Sequence, residues 1–433
     1  MRGARILRPF GIRDFALLWT AMSVSLLGDG IYFVAIAWQV YEISNAPTAL
    51  SVVGVAWTLP NVLLLLVGGV LSDRFDRRRL MIVSDVVRGL AIAAIGVLSV
   101  SGSLELWHLL GLVALYGAGE ALFAPAFQAI VPDIVPPEHL VQANSLDMLM
   151  RPLAAQLTGP ALGGLLIAWI GAGPAFLADA ASFWLSAACL AAMSSRPLPL
   201  RAAAGARSAL ADVAEGFRFV RSHTWLWGTL TAAAASLLCF YGPVEVLLPY
   251  VVKNDLGGSS RDYGLALAAM GAGSVGAALV IGRRTLPGRH IAFMYVNWTV
   301  AVAMVSVFGV AGELWQVMLA GVVRGVGITL GLVVWMTLVQ TLVPRELLGR
   351  VSSFDWLVSI SLIPVSFALT GPVAHALGAR ETLVGAGVLG AAITLAFLFL
   401  PGMRESERAG LLAATPGAMH GRGRSSSLQR GVE

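Results

Sequence analysis

Charge is scarce in this sequence. Only 12% of its 433 residues are Asp, Glu, Lys or Arg, while 57% are hydrophobic and the mean hydropathy is +0.80. A soluble globular domain carries about a quarter charged residues. So few polar groups cannot cover a core of this size, and the solvent implied is lipid. Cysteine is nearly absent: Cys189 and Cys239 both lie in apolar runs, which excludes a disulfide framework and a cysteine-based metal site. The six histidines never cluster, and no nucleophile–base arrangement or phosphate-cradling loop occurs. Catalytic groups, cofactors and metals are therefore not expected, the chain does not read as an enzyme, and ATP-driven pumping is excluded for this chain alone. The first apolar run lacks a small-residue cleavage site, so no signal peptide is read. Two motif matches lead nowhere. "GAGSVG" (Gly271, Gly273, Gly276) has dinucleotide-loop spacing without a preceding strand, and "NWT" at Asn297 has the glycosylation pattern inside an apolar run.

What is plentiful is long apolar runs. A membrane-crossing helix needs roughly 20 mostly apolar residues. Such runs are predicted at about 15–41, 49–71, 80–100, 106–131, 141–170 and 174–193, then at 225–252, 263–282, 291–311, 314–340, 351–377 and 382–400. The fold class is an all-α membrane protein with twelve transmembrane helices, the seventh and eleventh interrupted by proline. With the N-terminus in the cytoplasm, the inside segments carry Arg8 and Arg13, the Arg74–Arg79 cluster, Arg218 and Arg221, Arg289, Arg345, Arg350 and Arg404 among others. The outside loops hold only Lys253, Arg261 and Arg380. This positive-inside bias puts both termini in the cytoplasm. Scattered through separate loops, the basic residues make no nucleic-acid-binding face despite a pI of 9.6.

Four segments follow: a six-helix bundle over 1–193, a linker over 194–223, a second bundle over 224–402, and a tail over 403–433 that reads as disordered. In the linker, Leu210, Val213, Phe217 and Val220 recur at helical spacing, which predicts an amphipathic surface helix. The two bundles are internally related. "AIVPDIVPPEHLVQANSLDML" from Ala129 aligns with "TLVQTLVPRELLGRVSSFDWL" from Thr337 at an offset of 208, matching Glu138 to Glu346, Ser145 to Ser353 and Asp147 to Asp355. The same offset sets Tyr116 on Arg324, and "LTGP" occurs at both Leu157 and Leu369. Two pseudo-symmetric six-helix halves joined by a linker are the signature of a parallel-repeat transporter.

Three stretches carry a family resemblance. "GVLSDRFDRRRLM" packs six charges into the seven residues Asp73–Arg79, "TGPALGG" lies in span five, and "FALLWTAMSVSLLGDGIYFVAIAWQVYEIS" forms span one. Through them the chain, to about residue 402, resembles the major facilitator superfamily, in the branch of enterobactin-type siderophore exporters and macrolide efflux proteins. The first stretch is similar to that family's motif A, with Gly69, Asp73, Arg74, Arg77 and Arg78 in register and Asp76 where a second glycine is usual. The second is similar to motif C (Gly159, Pro160, Gly163, Gly164), which the resemblance associates with antiporting exporters. Drug antiporters often carry an arginine in span four; here it falls at the equivalent place in span ten, Arg324.

The expectations are these. Motif A acts either as a topology anchor or as a latch from Asp73 and Arg77 to the start of span eleven (Ser352, Ser353, Asp355). Asp29 and Glu120, acids at mid-membrane, either exchange protons at the substrate cavity with Arg324 as the opposing charge, or are hydrogen-bonded packing residues. Asp85/Arg88 and Asp147/Arg151 are spaced to neutralise themselves on one helix face. Asp179 and Glu245 read as lying towards outer ends. Pro160 kinks span five, and Gly159 and Gly163 form a small-residue face at the seam between the halves. Phe33, Trp38, Trp57, Trp335 and Met336 are candidates for an aromatic cavity. The reading is a monomeric secondary transporter of the bacterial inner membrane, in contact with membrane lipids, exporting small amphipathic molecules such as antibiotics against protons. Alternatives are a dedicated siderophore or metabolite exporter, an importer, or a membrane receptor or scaffold that moves nothing.

Overall fold

The structure is a computed structural model that describes residues 7–194, 215–282 and 286–408. Among the described residues, twelve helices are long and apolar enough to cross a membrane: Arg13–Ile43, Pro47–Leu65, Arg77–Val100, Leu106–Ile134, Gln142–Ile170 and Ala172–Ala191 in the first half, then Thr224–Asp255, Ser260–Ile281, His290–Val310, Leu314–Leu342, Leu347–Leu377 and Ala379–Phe397 in the second. They are spans one to twelve. No strand occurs among the described residues. Exposed Trp169, Leu63, Val310 and Phe399 are what a lipid-facing surface requires.

Helix ends are set by local chemistry. Asp76, standing where motif A has glycine, caps span three by accepting the Arg79 amide at 3.3 Å with an ordinary φ of −58°. The turn is thus made by an N-cap rather than by a glycine. Spans four and ten begin and end 208 residues apart, and both start the same way. Glu105 and Glu313 cap them, Trp107 donates to Glu105 at 2.7 Å, and Trp315 donates to Glu313 at 3.0 Å. The offset found in the sequence is therefore repeated in the helix starts. Proline behaves differently in the two weakest spans: span seven runs helical through Pro243 and Pro249, whereas span eleven breaks at Leu362 before Pro364.

Of the linker, residues 194 and 215–223 are described. Residues 215–222 are helical, Val220 is buried, and Phe217 meets Phe354 of span eleven edge-on at 5.8 Å. Leu210 and Val213 lie outside the described residues. Glu215 pairs with Arg350, which ties this helix to the start of span eleven. Of the tail, residues 403–408 are described: Met403 is buried and Glu407 accepts the Ala292 amide at 2.7 Å, so this part is docked on the start of span nine.

The named contacts between halves gather at the end away from the arginine-rich loop. Tyr41 donates to the Val246 carbonyl at 2.6 Å, Lys253 to the Tyr41 carbonyl at 2.6 Å, and Asn45 and Asn254 exchange hydrogen bonds at 2.7 and 3.1 Å. Deeper in, glycines replace side chains. A Cβ on Gly164 of span five would meet Gly264 Cα of span eight at 3.0 Å, and one on Gly371 of span eleven would meet Thr48 Cα of span two at 2.8 Å.

Candidate functional site

Between the halves runs a row of aromatic rings. Phe33 of span one lies edge-on to Trp57 of span two at 5.3 Å, Trp57 to Phe367 of span eleven at 6.5 Å, and Phe367 to Tyr241 of span seven at 5.9 Å. Each end of the row meets charge. On the first-half side, Glu120 Oε2 accepts both the Trp57 indole N–H and the Asn61 amide at 2.8 Å. With both donors on one oxygen, Oε1 is left for water, a proton or a ligand. On the second-half side, the Arg324 guanidinium lies 4.8 Å over the Phe240 ring and donates to the Ala301 carbonyl at 3.4 Å. Glu245 and Tyr241 are its charged and titratable neighbours.

Asp29, Glu120 and Arg324 are each partly exposed. They do not form one cluster. Asp29 Oδ1 accepts the Tyr116 hydroxyl at 2.8 Å, and its electrostatic neighbours are Arg88 and Arg151. Arg324 is matched instead to Glu245 of its own half, so the opposing charge expected for Asp29 and Glu120 is Arg88 of span three. The repeat explains the division. Tyr116 and Arg324 occupy matching places, one reaching an acid on span one and the other lying against span seven.

Behind Asp29 the first half is polar inside. Arg88 pairs with Asp85, lies between the Phe123 and Phe183 rings at 4.6 and 4.5 Å, and Asp85 also accepts the Ser186 hydroxyl at 2.6 Å. The i,i+3 pair thus neutralises itself, as does Arg151 with Asp147 at 3.1 Å. Asp179, the eighth residue of span six, which starts at Ala172, is fully buried against Gly28 of span one.

Motif A stands as follows. The Asp73 side chain, like those of Arg345, Glu346 and Ser353, lies outside the described residues. Gly69 has open space about it, and Arg74 is exposed. Arg77 pairs with Asp133 and donates to the Ala129 carbonyl at 3.1 Å, both on span four. Arg78 donates to the Leu190 and Ala191 carbonyls at the end of span six, where the helix dipole favours a cation. Both arginines therefore bond within the first half. Asp355, a suggested latch partner, accepts the Trp335 indole at 2.9 Å inside the second half.

Motif C is split: Gly159 and Gly163, expected at the seam, pack on span one of their own half, and Gly164 with the Pro160 carbonyl meets the other half. A Cβ on Gly159 would meet Gly30 Cα at 2.7 Å, and one on Gly163 would meet Ile31 Cα at 2.9 Å, both on span one, while Gly164 faces span eight. Pro160 sits in the first turn after a π-helical segment, Pro152–Thr158, which absorbs the missing hydrogen bond. Of the candidate cavity aromatics, Phe33 and Trp57 join the row. Trp38 lies under the Lys253 ammonium at 5.5 Å, Trp335 packs on Trp225 at 6.0 Å, and Met336 is exposed. Phe367, Tyr241 and Asn61 were not singled out from the sequence. Generic residues in apolar runs carry no signal until the spans are brought together. A separate cavity of about 240 Å³, lined by Phe15, Trp19, Phe127, Gln128, Asn144 and Asp147, opens between spans one, four and five.

The profile of a family described as transmembrane secretion effectors matches residues 4–418. The multidrug efflux pump Tap of Mycolicibacterium fortuitum is 27% identical over 413 residues, covering 91% of this chain and 97% of the pump. The enterobactin exporter EntS of Citrobacter koseri is 28% identical over 401 residues, 89% of this chain and 90% of the exporter. The MFS-type transporter YfiS of Bacillus subtilis is 28% identical over 347 residues, 77% and 80% of the two chains. Among solved structures, the nucleoside transporter NupG superposes with a TM-score of 0.67 at 9% identity, covering 90% of this chain and 99% of its own. A POT family transporter superposes with a TM-score of 0.70 at 12% identity, covering 89% and 95%. At such identities these structures share the fold alone. From twelve spans in two related halves and a profile match along nearly the whole length, it follows that this chain is a multi-pass membrane transporter of the major facilitator superfamily and belongs to its transmembrane secretion effector family.

Proposed function

We propose that this chain exports small amphipathic molecules across the bacterial inner membrane in exchange for protons. One observation carries the reading: Asp29 and Glu120 are partly exposed acids within spans one and four, near an aromatic row between the halves that we take as one wall of a substrate slot. Ionisable groups are expensive at that depth and are kept where ions or substrates pass. The rings offer a flat apolar surface to an amphipathic ligand, and the carboxyls take up protons when it leaves. Arg324, with Glu245, holds the opposite wall. The relatives named as a multidrug efflux pump and an enterobactin exporter agree with the direction. With the arginine-rich end in the cytoplasm, this conformer is closed outside. The bonding of Arg77 within its own half fits a latch that is released inward and made to span eleven when the cavity faces out. Motif C then seals the outer seam against proton leakage. The driving force is about 2.3 kcal/mol per charge per 100 mV.

The test is transport in sealed vesicles under an imposed pH gradient, with ethidium as the first probe of a growth-inhibition panel in an efflux-deficient host. Wild type is expected to move substrate with a counterflow of protons. Asp29→Asn and Glu120→Gln are expected to exchange substrate without responding to the gradient. Gradient-driven transport that survives in both variants would remove these residues from coupling. A dedicated siderophore exporter is the second reading, because Arg324 over Phe240 presents a cation beside a ring to an anionic aromatic ligand. A single protected compound, rather than a broad panel, would favour it.

A further inference from the structure

The interior of the first half holds more acid than this reading uses. Spans one, three, four and six bring Asp29, Asp85, Glu120 and Asp179 around one buried cation, Arg88. Asp85 is satisfied by Arg88 and Ser186, and Glu120 by Trp57 and Asn61. Asp179 is not. It is fully buried, its Oδ1 accepts the Ser182 hydroxyl at 3.2 Å, and its Oδ2 has no hydrogen-bond partner. The groups facing it are Asp29 and Tyr32 from span one, Arg88 from span three, and Tyr116 from span four. The packed part of span five, Gly159–Ile170, adds no titratable side chain. The one cation among them is already paired.

An unpaired carboxylate is poorly tolerated at such a site, whereas a carboxylic acid is neutral. The neighbour on span one is Gly28, next to Asp29, and any Cβ there would overlap Asp179 Oδ1 and Ser182 Oγ. The glycine is what lets the span-six carboxyl approach the span-one carboxyl.

We infer that Asp179 is a second proton-holding carboxyl of the transport cycle, storing the proton in this conformer and passing it to Asp29 past Gly28. The inference rests on the proton-exchange reading above. The proton leaves the Asp179 carboxyl for the Asp29 carboxylate, so one acid becomes a carboxylate and the other an acid. No electron moves and no co-reactant is needed. The new charge on Asp179 faces Arg88, whose Nε has no partner in this conformer. Asp29 is partly exposed where Asp179 is not, so the proton departs to the slot from Asp29. Asp179 touches no substrate and acts through Asp29.

The test is infrared spectroscopy of the full-length protein in liposomes without substrate. Wild type is compared with Asp179→Asn, Asp179→Glu and Gly28→Ala, each checked for folding by thermal unfolding. Wild type is expected to show a protonated-carboxyl C=O component at neutral pH that fades as the pH is raised. Asp179→Asn is expected to lose that component, Asp179→Glu to keep it at a displaced frequency, and Gly28→Ala to keep it but change the pH at which it fades. A buried acid with only a packing role would give a component indifferent to pH. If Asp179→Asn does not fold, Asp179→Glu carries the test, and an undisplaced component overturns the inference. A component that survives in folded Asp179→Asn, or that ignores pH in wild type, overturns it as well. The two readings fail differently: wild-type transport indifferent to a pH gradient removes the coupling itself, whereas gradient-driven wild type with an unchanged spectrum in Asp179→Asn removes only the role of Asp179.

Discussion

Arg88 carries the first-half interior. Its guanidinium pairs with Asp85, lies between two phenylalanine rings, and is 3% exposed. Removing one partner of a buried pair leaves the other charge uncompensated, at a cost of about 3–5 kcal/mol. Arg88→Met is therefore expected to lower unfolding stability in detergent by that amount, and adding Asp85→Leu is expected to recover most of it. The same residues show where a linear reading stops. The Asp85/Arg88 spacing was enough to predict mutual neutralisation, because helix geometry alone fixes i,i+3 neighbours. Asp29 and Glu120 were legible because acids in apolar runs stand out. Asp179 stood out too, yet its depth depends on where span six begins and its surroundings on Gly28, some 150 residues away. The aromatic partners Phe367 and Tyr241 gave no signal, since an aromatic facing lipid and one facing the slot look alike in a string of letters.

At the scale of the helix, the seam is built from backbone contact. Span five presents Gly159 and Gly163 to span one and Gly164 to span eight. Gly264→Val is expected to push spans five and eight apart, because even a Cβ at 264 would meet the Gly164 backbone amide at 3.1 Å. Contact between the halves at the end away from the arginine-rich loop should then be less populated, which a thiol-reactive dye reads as faster labelling of a single cysteine placed at Ser51. Faster labelling without lost folding is the expected outcome; unchanged labelling would detach this seam from the gate. The glycine run "GAGSVG" belongs to the same construction. A Cβ on Gly271 or Gly273 would overlap the backbone of Gln156 or Val322. The actual use of those glycines was illegible, because a close approach has two sides and the sequence shows one.

For the molecule as a whole, the twelve spans and the twofold repeat were readable because lipid imposes length and the 208 offset imposes symmetry. Which end holds the halves together was not readable, since Tyr41, Asn45, Lys253 and Asn254 give no sign in sequence of the partner each will meet. Asn45 and Asn254, bonded to each other across the halves, give a direct handle. With Cys189 and Cys239 replaced by serine, Asn45→Cys with Asn254→Cys is expected to be joined by a short cleavable thiol cross-linker. Transport in vesicles should then stop and return on cleavage. Transport that continues in fully cross-linked protein would mean that the outer end need not open.

Trp107 and Trp315 are exposed, sit at matching helix starts, and are tied to Glu105 and Glu313. Tryptophan settles at the headgroup level of a bilayer. These two indoles therefore moor equivalent helices of the two halves at one leaflet, like floats set at equal height on either side of a hull. When one half tilts against the other, the floats must rise or sink together, so the thickness of the surrounding lipid enters the energetics of turnover. Vesicles made with progressively longer acyl chains are expected to change the turnover rate of wild type and to matter less to Trp107→Ala with Trp315→Ala.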